Sequence, residues 1–245
     1  MDRVNILGAN IDNVTMDGAI DRIAQAIETK TPMQVITLNA EILYRALSEP
    51  ALMEAIGGAD LVTPDGTGVL WAAEQLNSPL RERVTGIDLL TEILHQAPQR
   101  NWSLYFYGAK PEILEKAVEN IRQIHPGIRI AGSTHGYISP EAQKDLLEDI
   151  RSKAPDILFV AMGAPRQEYW IRENLPGLPP LVAVGVGGSL DVLSGAVKRA
   201  PRLIQALRLE WLYRTVIQPS RMGRTMALPK FMKEVRREKK SRSLT

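Results

Sequence analysis

The chain contains no cysteine and few aromatic residues. None of its 245 residues is cysteine, and only 5% are phenylalanine, tryptophan or tyrosine. The absence of cysteine excludes a disulfide framework, a thiolate nucleophile and any zinc or iron–sulfur site with cysteine ligands. A chain without disulfides fits a reducing compartment, and we expect a cytoplasmic protein.

Long hydrophobic runs are missing as well. The most apolar segments are 157–164 and 181–186, and both are far shorter than the ~20 residues that a membrane-spanning helix needs. The N-terminus has no basic region followed by an apolar stretch of signal-peptide length. We therefore expect neither a spanning helix nor export through a signal peptide.

Charge is distributed unevenly along a chain whose composition is otherwise that of a soluble globular protein. The formal net charge is +2, but fourteen of the 30 lysines and arginines, against three of the 28 acidic residues, lie between Lys198 and Arg242. Length and charge together predict an α/β domain over 1–195 and a basic helical appendage over 196–245. The basic segment indicates an anionic partner.

Short apolar runs alternate with helical patterns in the first domain, which predicts a mostly parallel, Rossmann-like sheet with helices on both faces. The runs are rich in Val, Ile and Leu and are bounded by Gly, Pro or Asp. Strands are predicted at 4–7, 34–38, 60–63, 103–107, 128–131, 156–161 and 181–186, and helices at 16–29, 41–47, 67–76, 86–96, 111–124, 140–153 and 167–174.

Five polar or glycine-rich turns follow these predicted strands. In parallel sheets, ligands bind beyond the carboxyl ends of the strands, so we expect the five turns to line one cleft. They comprise residues 37–39, 64–68, 108, 163–168 and 185–188.

Each turn also has a purely structural interpretation. Asn39 and Asp65 stand just before helices, where their side chains would cap free N–H groups. Gln167 and Glu168 fit a solvated first turn of a helix, and the glycines fit tight turns. The segment 185–190 is not a dinucleotide fingerprint, because Leu190 replaces its third glycine. It still suits backbone N–H groups that approach a phosphate.

Taken together, the motifs resemble the WecG/TagA/CpsF family, glycosyltransferase family 26, and are closest to its TagA branch. The resemblance covers essentially the whole chain and rests on Ile36–Glu41, Thr63–Gly66, Arg81–Gly86, Phe106–Gly108 and Gly163–Glu168. It implies an inverting transfer of N-acetylmannosamine from a UDP donor to undecaprenyl-diphosphate-linked N-acetylglucosamine, an early step in wall teichoic acid linkage-unit synthesis.

The resemblance also implies roles for individual residues. Asp65 would be the general base, Thr37 and Asn39 would hold the sugar or orient the acceptor, and Gln167 would contact the donor. Arg83 is a candidate for neutralising the UDP diphosphate, although it also fits an ordinary surface arginine. The remaining substrate-binding candidates are Gly108, Gly163, Gly185 and Gly187.

The chain has no Asp-x-Asp motif of the kind that holds a divalent ion over a nucleotide-sugar diphosphate. The three histidines show no ligand spacing. We therefore predict metal-independent transfer without a cofactor.

The appendage contains two apolar stripes. The first, which includes Leu203, Leu207 and Trp211, fits either core packing or membrane contact. The second stripe consists of Leu228, Phe231, Met232 and Val235 and is flanked by Lys and Arg, a pattern that favours an anionic membrane surface over nucleic acid. Three arginines lie between the stripes: Arg214, Arg221 and Arg224. The hypothesis is that they contact a substrate diphosphate.

Two other functions remain open at this stage. The donor sugar can instead be the uronic acid of N-acetylmannosamine, as in a WecG-type reaction. A non-catalytic protein that binds lipid diphosphates would share the membrane affinity but release no UDP. The sequence does not determine the oligomeric state, and a homo-oligomer is one of the open alternatives.

Overall fold

A six-stranded sheet forms the centre of the computed structural model, which describes residues 2–201, 204, 212–213 and 227–243. Every pair of neighbouring strands in this sheet is parallel, which confirms the predicted fold class. The strands are β1 (Arg3–Ile6), β2 (Ala9–Asp12), β3 (Met33–Leu38), β4 (Leu61–Pro64), β5 (Ser103–Gly108), β6 (Arg129–Thr134), β7 (Ile157–Ala161) and β8 (Val182–Gly185). The sheet order is β4-β3-β8-β7-β5-β6.

Five of the described helices begin at a side-chain cap or at a proline in the first turn. Side-chain oxygens of Thr15, Asn39 and Thr85 accept backbone N–H groups at three N-termini. The helices are α1 (Met16–Glu28), α2 (Ala40–Ala46), α3 (Pro50–Gly58), α4 (Thr67–Gln75), α5 (Gly86–Arg100), α6 (Pro111–Ile124), α7 (Ala142–Lys153), α8 (Arg166–Asn174), α9 (Ser189–Leu193) and a C-terminal helix (Ala227–Arg242).

Helices cover the sheet on both faces. All residues of β3, β4, β5, β7 and β8 are buried, as expected for strands with helices on either side. One face packs against α1, α5, α6 and α9, and the other against α2, α3, α4, α7, α8 and the C-terminal helix. The chain therefore leaves β3 toward one face and the adjacent β8 toward the other. Such a switch point opens a crevice at the carboxyl edge.

The N-terminal run differs from the prediction. Residues 3–6 belong to an antiparallel hairpin with β2, not to the parallel sheet. The hairpin turns at Leu7 and Gly8, which both have positive φ. Its second strand ends in the buried Asp12, which accepts hydrogen bonds from the backbone N–H of Val62 and the guanidinium of Arg22. These contacts join the hairpin to β4 and α1.

The C-terminal helix packs on the protein body, against α2 and α4. Phe231 and Val235 are fully buried there, and the Glu238 carboxylate accepts the backbone N–H of Leu7 at 2.9 Å. The prediction that this apolar stripe lies in a membrane surface is therefore wrong for Phe231 and Val235, which complete the protein core instead. Seven cations on the same helix are exposed: Lys230, Lys233, Arg236, Arg237, Lys239, Lys240 and Arg242.

Much of the segment before this helix lies outside the described residues, including Leu203, Leu207 and Trp211 of the first stripe. Among the residues that are described, no helix combines the length and hydropathy needed to cross a bilayer.

Candidate active site

The five predicted turns lie side by side along the carboxyl edge of the sheet. In the spatial order of the strands, Asp65 follows β4, Asn39 follows β3, Gly187 follows β8, Gln167 follows β7, and Gly108 ends β5. The turns therefore share one edge of the sheet, and that they line one cleft stays a prediction. Turns that are far apart in sequence become neighbours because parallel strands end together.

Asp65 faces the beginning of α5. Its backbone N–H donates to the carbonyl of Leu38 at 2.9 Å, and its Oδ2 accepts the backbone N–H of Gly86 at 3.2 Å. The residue that caps α4 is Gly66, with φ of 91° and no side-chain bond. The interpretation of Asp65 as the cap of its own following helix is therefore wrong. The carboxylate instead lies at the N-terminus of α5, where the helix dipole stabilises negative charge.

Gly86 lies between Asp65 and Thr37. A Cβ at position 86 would lie 3.0 Å from the Thr37 Oγ1, so the first turn of α5 packs closely against the end of β3. Thr37 is buried, and its hydroxyl donates to the carbonyl of Gly185 at 3.2 Å. Asp65, Gly86, Thr37 and Gly185 thus form a continuous series of contacts across β4, β3 and β8.

Asn39 caps α2, as its structural interpretation predicts. Its Oδ1 accepts the backbone N–H of Ile42 at 3.0 Å. The residue stands directly after β3, beside the carbonyl of Leu38 that binds Asp65. The structure therefore places Asn39 next to the candidate base, and its role toward a substrate stays a prediction.

Asp88, in the first turn of α5, pairs with two arginines. Its carboxylate accepts the hydroxyl of Thr85 at 2.7 Å, forms a salt bridge with Arg199, and lies 4.0 Å from the guanidinium of Arg83. The Arg83 side chain is 23% exposed, so it is partly buried at the surface, and its role toward the diphosphate stays a prediction. Arg199 is not among the residues predicted for the site, because its only local signal in the sequence is the basic pair with Lys198.

Gln167 and Glu168 are buried, with exposures of 3% and 1%. The Gln167 Oε1 accepts the backbone N–H of Gly163 at 3.1 Å and of Gly187 at 3.0 Å. Its Nε2 donates to the Glu168 Oε1 at 2.9 Å. Burial raises the pKa of Glu168. The interpretation of these two side chains as a solvated helical turn is therefore wrong.

The four candidate glycines have different surroundings. At Gly108, with φ of 125°, a Cβ would lie 2.4 Å from the carbonyl oxygen of Ala161, so only glycine fits. At Gly185, a Cβ would lie 2.7 Å from the Gln167 Nε2. Gly163 and Gly187 have positive φ, and no described atom lies within 4 Å of the Cβ position. Within the described part of the chain, these two loops therefore border open space.

Two predictions about the site remain untested. Arg214, Arg221 and Arg224 lie outside the described residues. In the described part of the chain, no three His, Asp or Glu side chains form a group able to hold a metal ion, and metal-independent transfer stays a prediction.

Known proteins match most of the length of this chain. The family model described as "Glycosyl transferase WecG/TagA/CpsF family" matches residues 4–245. A Bacillus spizizenii protein named N-acetylglucosaminyldiphosphoundecaprenol N-acetyl-beta-D-mannosaminyltransferase is 38% identical over 201 residues, which cover 82% of this chain and 77% of that protein. A Staphylococcus aureus protein of the same name is 37% identical over 240 residues, which cover 97% and 94% of the two chains. The chain therefore belongs to the WecG/TagA/CpsF family of glycosyltransferases.

Proposed function

We propose that this chain transfers N-acetylmannosamine from UDP-N-acetylmannosamine to undecaprenyl-diphosphate-linked N-acetylglucosamine, with inversion at the anomeric carbon. The names of its relatives support the transferred sugar and the acceptor, and a UDP-linked donor is what membership of a glycosyltransferase family implies. The observation that carries the mechanism is the Asp65 carboxylate, which lies where the ends of β3 and β4 meet the N-terminus of α5.

In this mechanism, Asp65 removes the proton from the attacking hydroxyl of the acceptor sugar. The hydroxyl oxygen forms a bond to the anomeric carbon of the donor, and the bond to the UDP oxygen breaks with its electron pair leaving on UDP. One carboxylate suffices, because a single displacement needs one base. The backbone N–H of Gly86 fixes the carboxylate orientation.

Arg83 and Arg199 are the described cations that we assign to the leaving diphosphate. Asp88 lies between their two guanidinium groups, beside the Gly86 turn. A guanidinium presents paired donors to phosphate oxygens and stabilises the charge that develops on the leaving group. The shared carboxylate holds both arginines near the position where the anomeric bond breaks.

The acceptor is a lipid, so we also propose that the protein acts at the inner face of the cell membrane. The support is the exposed cationic face of the C-terminal helix, whose Phe231 and Val235 point into the core. Each cation near an anionic surface contributes about 1 kcal/mol. Contact is then electrostatic, without insertion of these two side chains.

UDP release tests the reaction directly. Wild-type protein is incubated with UDP-N-acetylmannosamine, with its uronic acid, or with both, in the presence and absence of a short-chain analogue of the lipid-linked N-acetylglucosamine. We expect acceptor-dependent UDP release with N-acetylmannosamine as the preferred donor. Preference for the uronic acid identifies the WecG-type reaction. No UDP release with either donor favours the non-catalytic alternative.

Vesicle sedimentation tests the membrane proposal. A variant with glutamine in place of four exposed cations of the C-terminal helix should bind phosphatidylglycerol vesicles at least tenfold more weakly than wild type. The control carries glutamine at four exposed cations of the protein body and should bind like wild type. Equal binding by all three proteins would contradict a role for the helix. The four helix positions are Lys233, Arg236, Arg237 and Lys240, and the control positions are Lys110, Lys116, Arg122 and Lys144.

A further inference from the structure

Two neighbouring polar side chains at the start of α8 lie almost entirely inside the protein. Gln167 is 3% exposed and Glu168 is 1% exposed. Burial of a polar group is unfavourable unless it forms hydrogen bonds. Their hydrogen-bond partners therefore indicate the role of these two side chains beneath the carboxyl edge of the sheet.

Gln167 joins the two loops that follow β7 and β8. A single oxygen atom, Oε1, accepts the N–H groups of Gly163 and Gly187 at 3.1 and 3.0 Å. Both glycines border open space and have positive φ, 75° and 52°. The amide thus fixes the separation of two backbone turns that border the candidate cleft.

Glu168 determines which way the Gln167 amide faces. Its Oε1 accepts the Gln167 Nε2 at 2.9 Å, which turns the amide oxygen toward the glycines. In the opposite orientation, the amide NH₂ would face two N–H donors. Each buried group left without its hydrogen bond would cost about 1–3 kcal/mol.

The backbone of Glu168 extends this network to β3. Its carbonyl accepts the Nε2 of the buried Gln34 on β3 at 3.2 Å. Among the described residues, the second carboxyl oxygen of Glu168 has no hydrogen-bond partner. Within the described structure, the carboxyl group of Glu168 thus forms its hydrogen bond through Oε1, the oxygen that orients Gln167.

We propose that Gln167 and Glu168 are a positioning pair that shapes the donor-diphosphate site from beneath, through the Gly163 and Gly187 loops. This inference rests on the proposed transfer reaction and changes the expected role of Gln167. Its carbonyl acts on the two loops, and Glu168 acts through Gln167. Neither carboxyl oxygen of Glu168 takes part in the chemical step.

The test compares two substitutions at position 168. Glu168→Gln keeps an oxygen that accepts the Gln167 amide, whereas Glu168→Met has a similar length but no such oxygen. We expect Glu168→Gln to stay within twofold of wild type. Glu168→Met should raise the KM for UDP-N-acetylmannosamine at least tenfold and leave the KM for the acceptor unchanged. The matched control is Glu173→Met, at an exposed glutamate of the same helix, with wild-type kinetics expected.

Amide NMR provides a readout that does not depend on activity. In ¹H–¹⁵N spectra without substrate, Glu168→Met should shift the signals of Gly163 and Gly187, and Glu168→Gln should shift them much less. These shifts test the loop contacts even if wild-type protein releases no UDP, which would refute the proposed reaction instead.

Three outcomes would overturn the positioning role. The first is a folded Glu168→Met variant with unchanged donor KM, and the second is unchanged glycine signals in that variant. The third is equal loss in Glu168→Gln and Glu168→Met, which would mean that the carboxyl group itself is required. If Glu168→Met does not fold, Glu168→Asp replaces it, because the shorter side chain withdraws the acceptor oxygen. An increase in donor KM in that variant supports the role, and an unchanged donor KM contradicts it.

Discussion

Gly86→Ala perturbs the candidate site with one methyl group. The added Cβ would lie 3.0 Å from the Thr37 Oγ1 and 3.6 Å from its Cγ2. Thr37 is buried and hydrogen-bonded to the Gly185 carbonyl, so its side chain has little room to move aside. We expect the first turn of α5 to shift by a few tenths of an ångström. This shift also disturbs the 3.2 Å bond from the Gly86 N–H to Asp65.

The expected loss of stability is small because two effects oppose each other. Extra volume in a packed site costs about 1–3 kcal/mol, and alanine is favoured over glycine in a helix by about 1 kcal/mol. The net cost of about 0–2 kcal/mol corresponds to a decrease in Tm of at most ~8 °C for a domain of this size. The protein therefore remains folded at 25 °C.

The effect on turnover should be larger. A misplacement of about 1 Å can reduce a rate by 10²-fold, so a shift of a few tenths of an ångström should reduce kcat by roughly tenfold. The assay measures UDP release at 25 °C with saturating donor and acceptor, alongside the Tm from circular dichroism.

Gly18→Ala is the matched control. Gly18 also lies in the first turn of a helix capped by threonine, where a Cβ would lie 3.4 Å from the Thr15 Oγ1. We expect the control to keep wild-type kcat. A folded Gly86→Ala variant with wild-type kcat would refute the inference that close contact among Asp65, Gly86 and Thr37 sets the reacting geometry.

Three further predictions concern the charged groups and the C-terminal helix. Arg83→Ala and Arg199→Ala should each lower kcat/KM for the donor at least tenfold in UDP release assays; unchanged values would remove that arginine from the diphosphate site. Phe231→Ala should lower the free energy of unfolding by about 3–5 kcal/mol in denaturant titrations. Met232→Ala, at a half-buried neighbour, should lower it by less. Equal and small decreases in the two variants would contradict docking of the C-terminal helix on the protein body. Burial raises the pKa of Glu168 above its ordinary value of 4.5, so the folded protein binds this proton more tightly than the unfolded protein. Wild type should therefore lose stability relative to Glu168→Gln as pH rises above 4.5. A difference in unfolding free energy between the two proteins that does not vary with pH would contradict this.

The sequence was sufficient to predict the six parallel strands and the row of turns at their edge, although it also predicted that residues 4–7 belong to this sheet. Apolar runs separated by helical patterns predict parallel strands, and parallel strands bring residues 39, 65, 167 and 187 to one edge. These features depend on local patterns and on the handedness of crossover connections, so they can be inferred from the sequence.

Contacts between distant segments could not be predicted in this way. Asp65 binds the N–H of Gly86, 21 positions away, because α5 packs its first turn against the end of β3. Glu168 lies in a polar segment that is typical of a solvated helical turn. Only the packing of α8 on the sheet buries its side chain. The apolar stripe with Phe231 fits a membrane surface and a protein core equally well from spacing alone.

The most direct test of the mechanism is the turnover of Asp65→Asn. Asparagine retains an oxygen that can accept the Gly86 N–H but cannot remove a proton from the acceptor hydroxyl. Loss of a general base reduces the rate by about 10²–10⁴-fold, whereas the lost charge at the helix N-terminus costs only about 0.3–1 kcal/mol of stability. We predict a folded variant, with Tm within ~4 °C of wild type, that releases UDP at least a hundredfold more slowly under saturating donor and acceptor. Release at a rate close to wild type by this variant would contradict the assignment of Asp65 as the catalytic base.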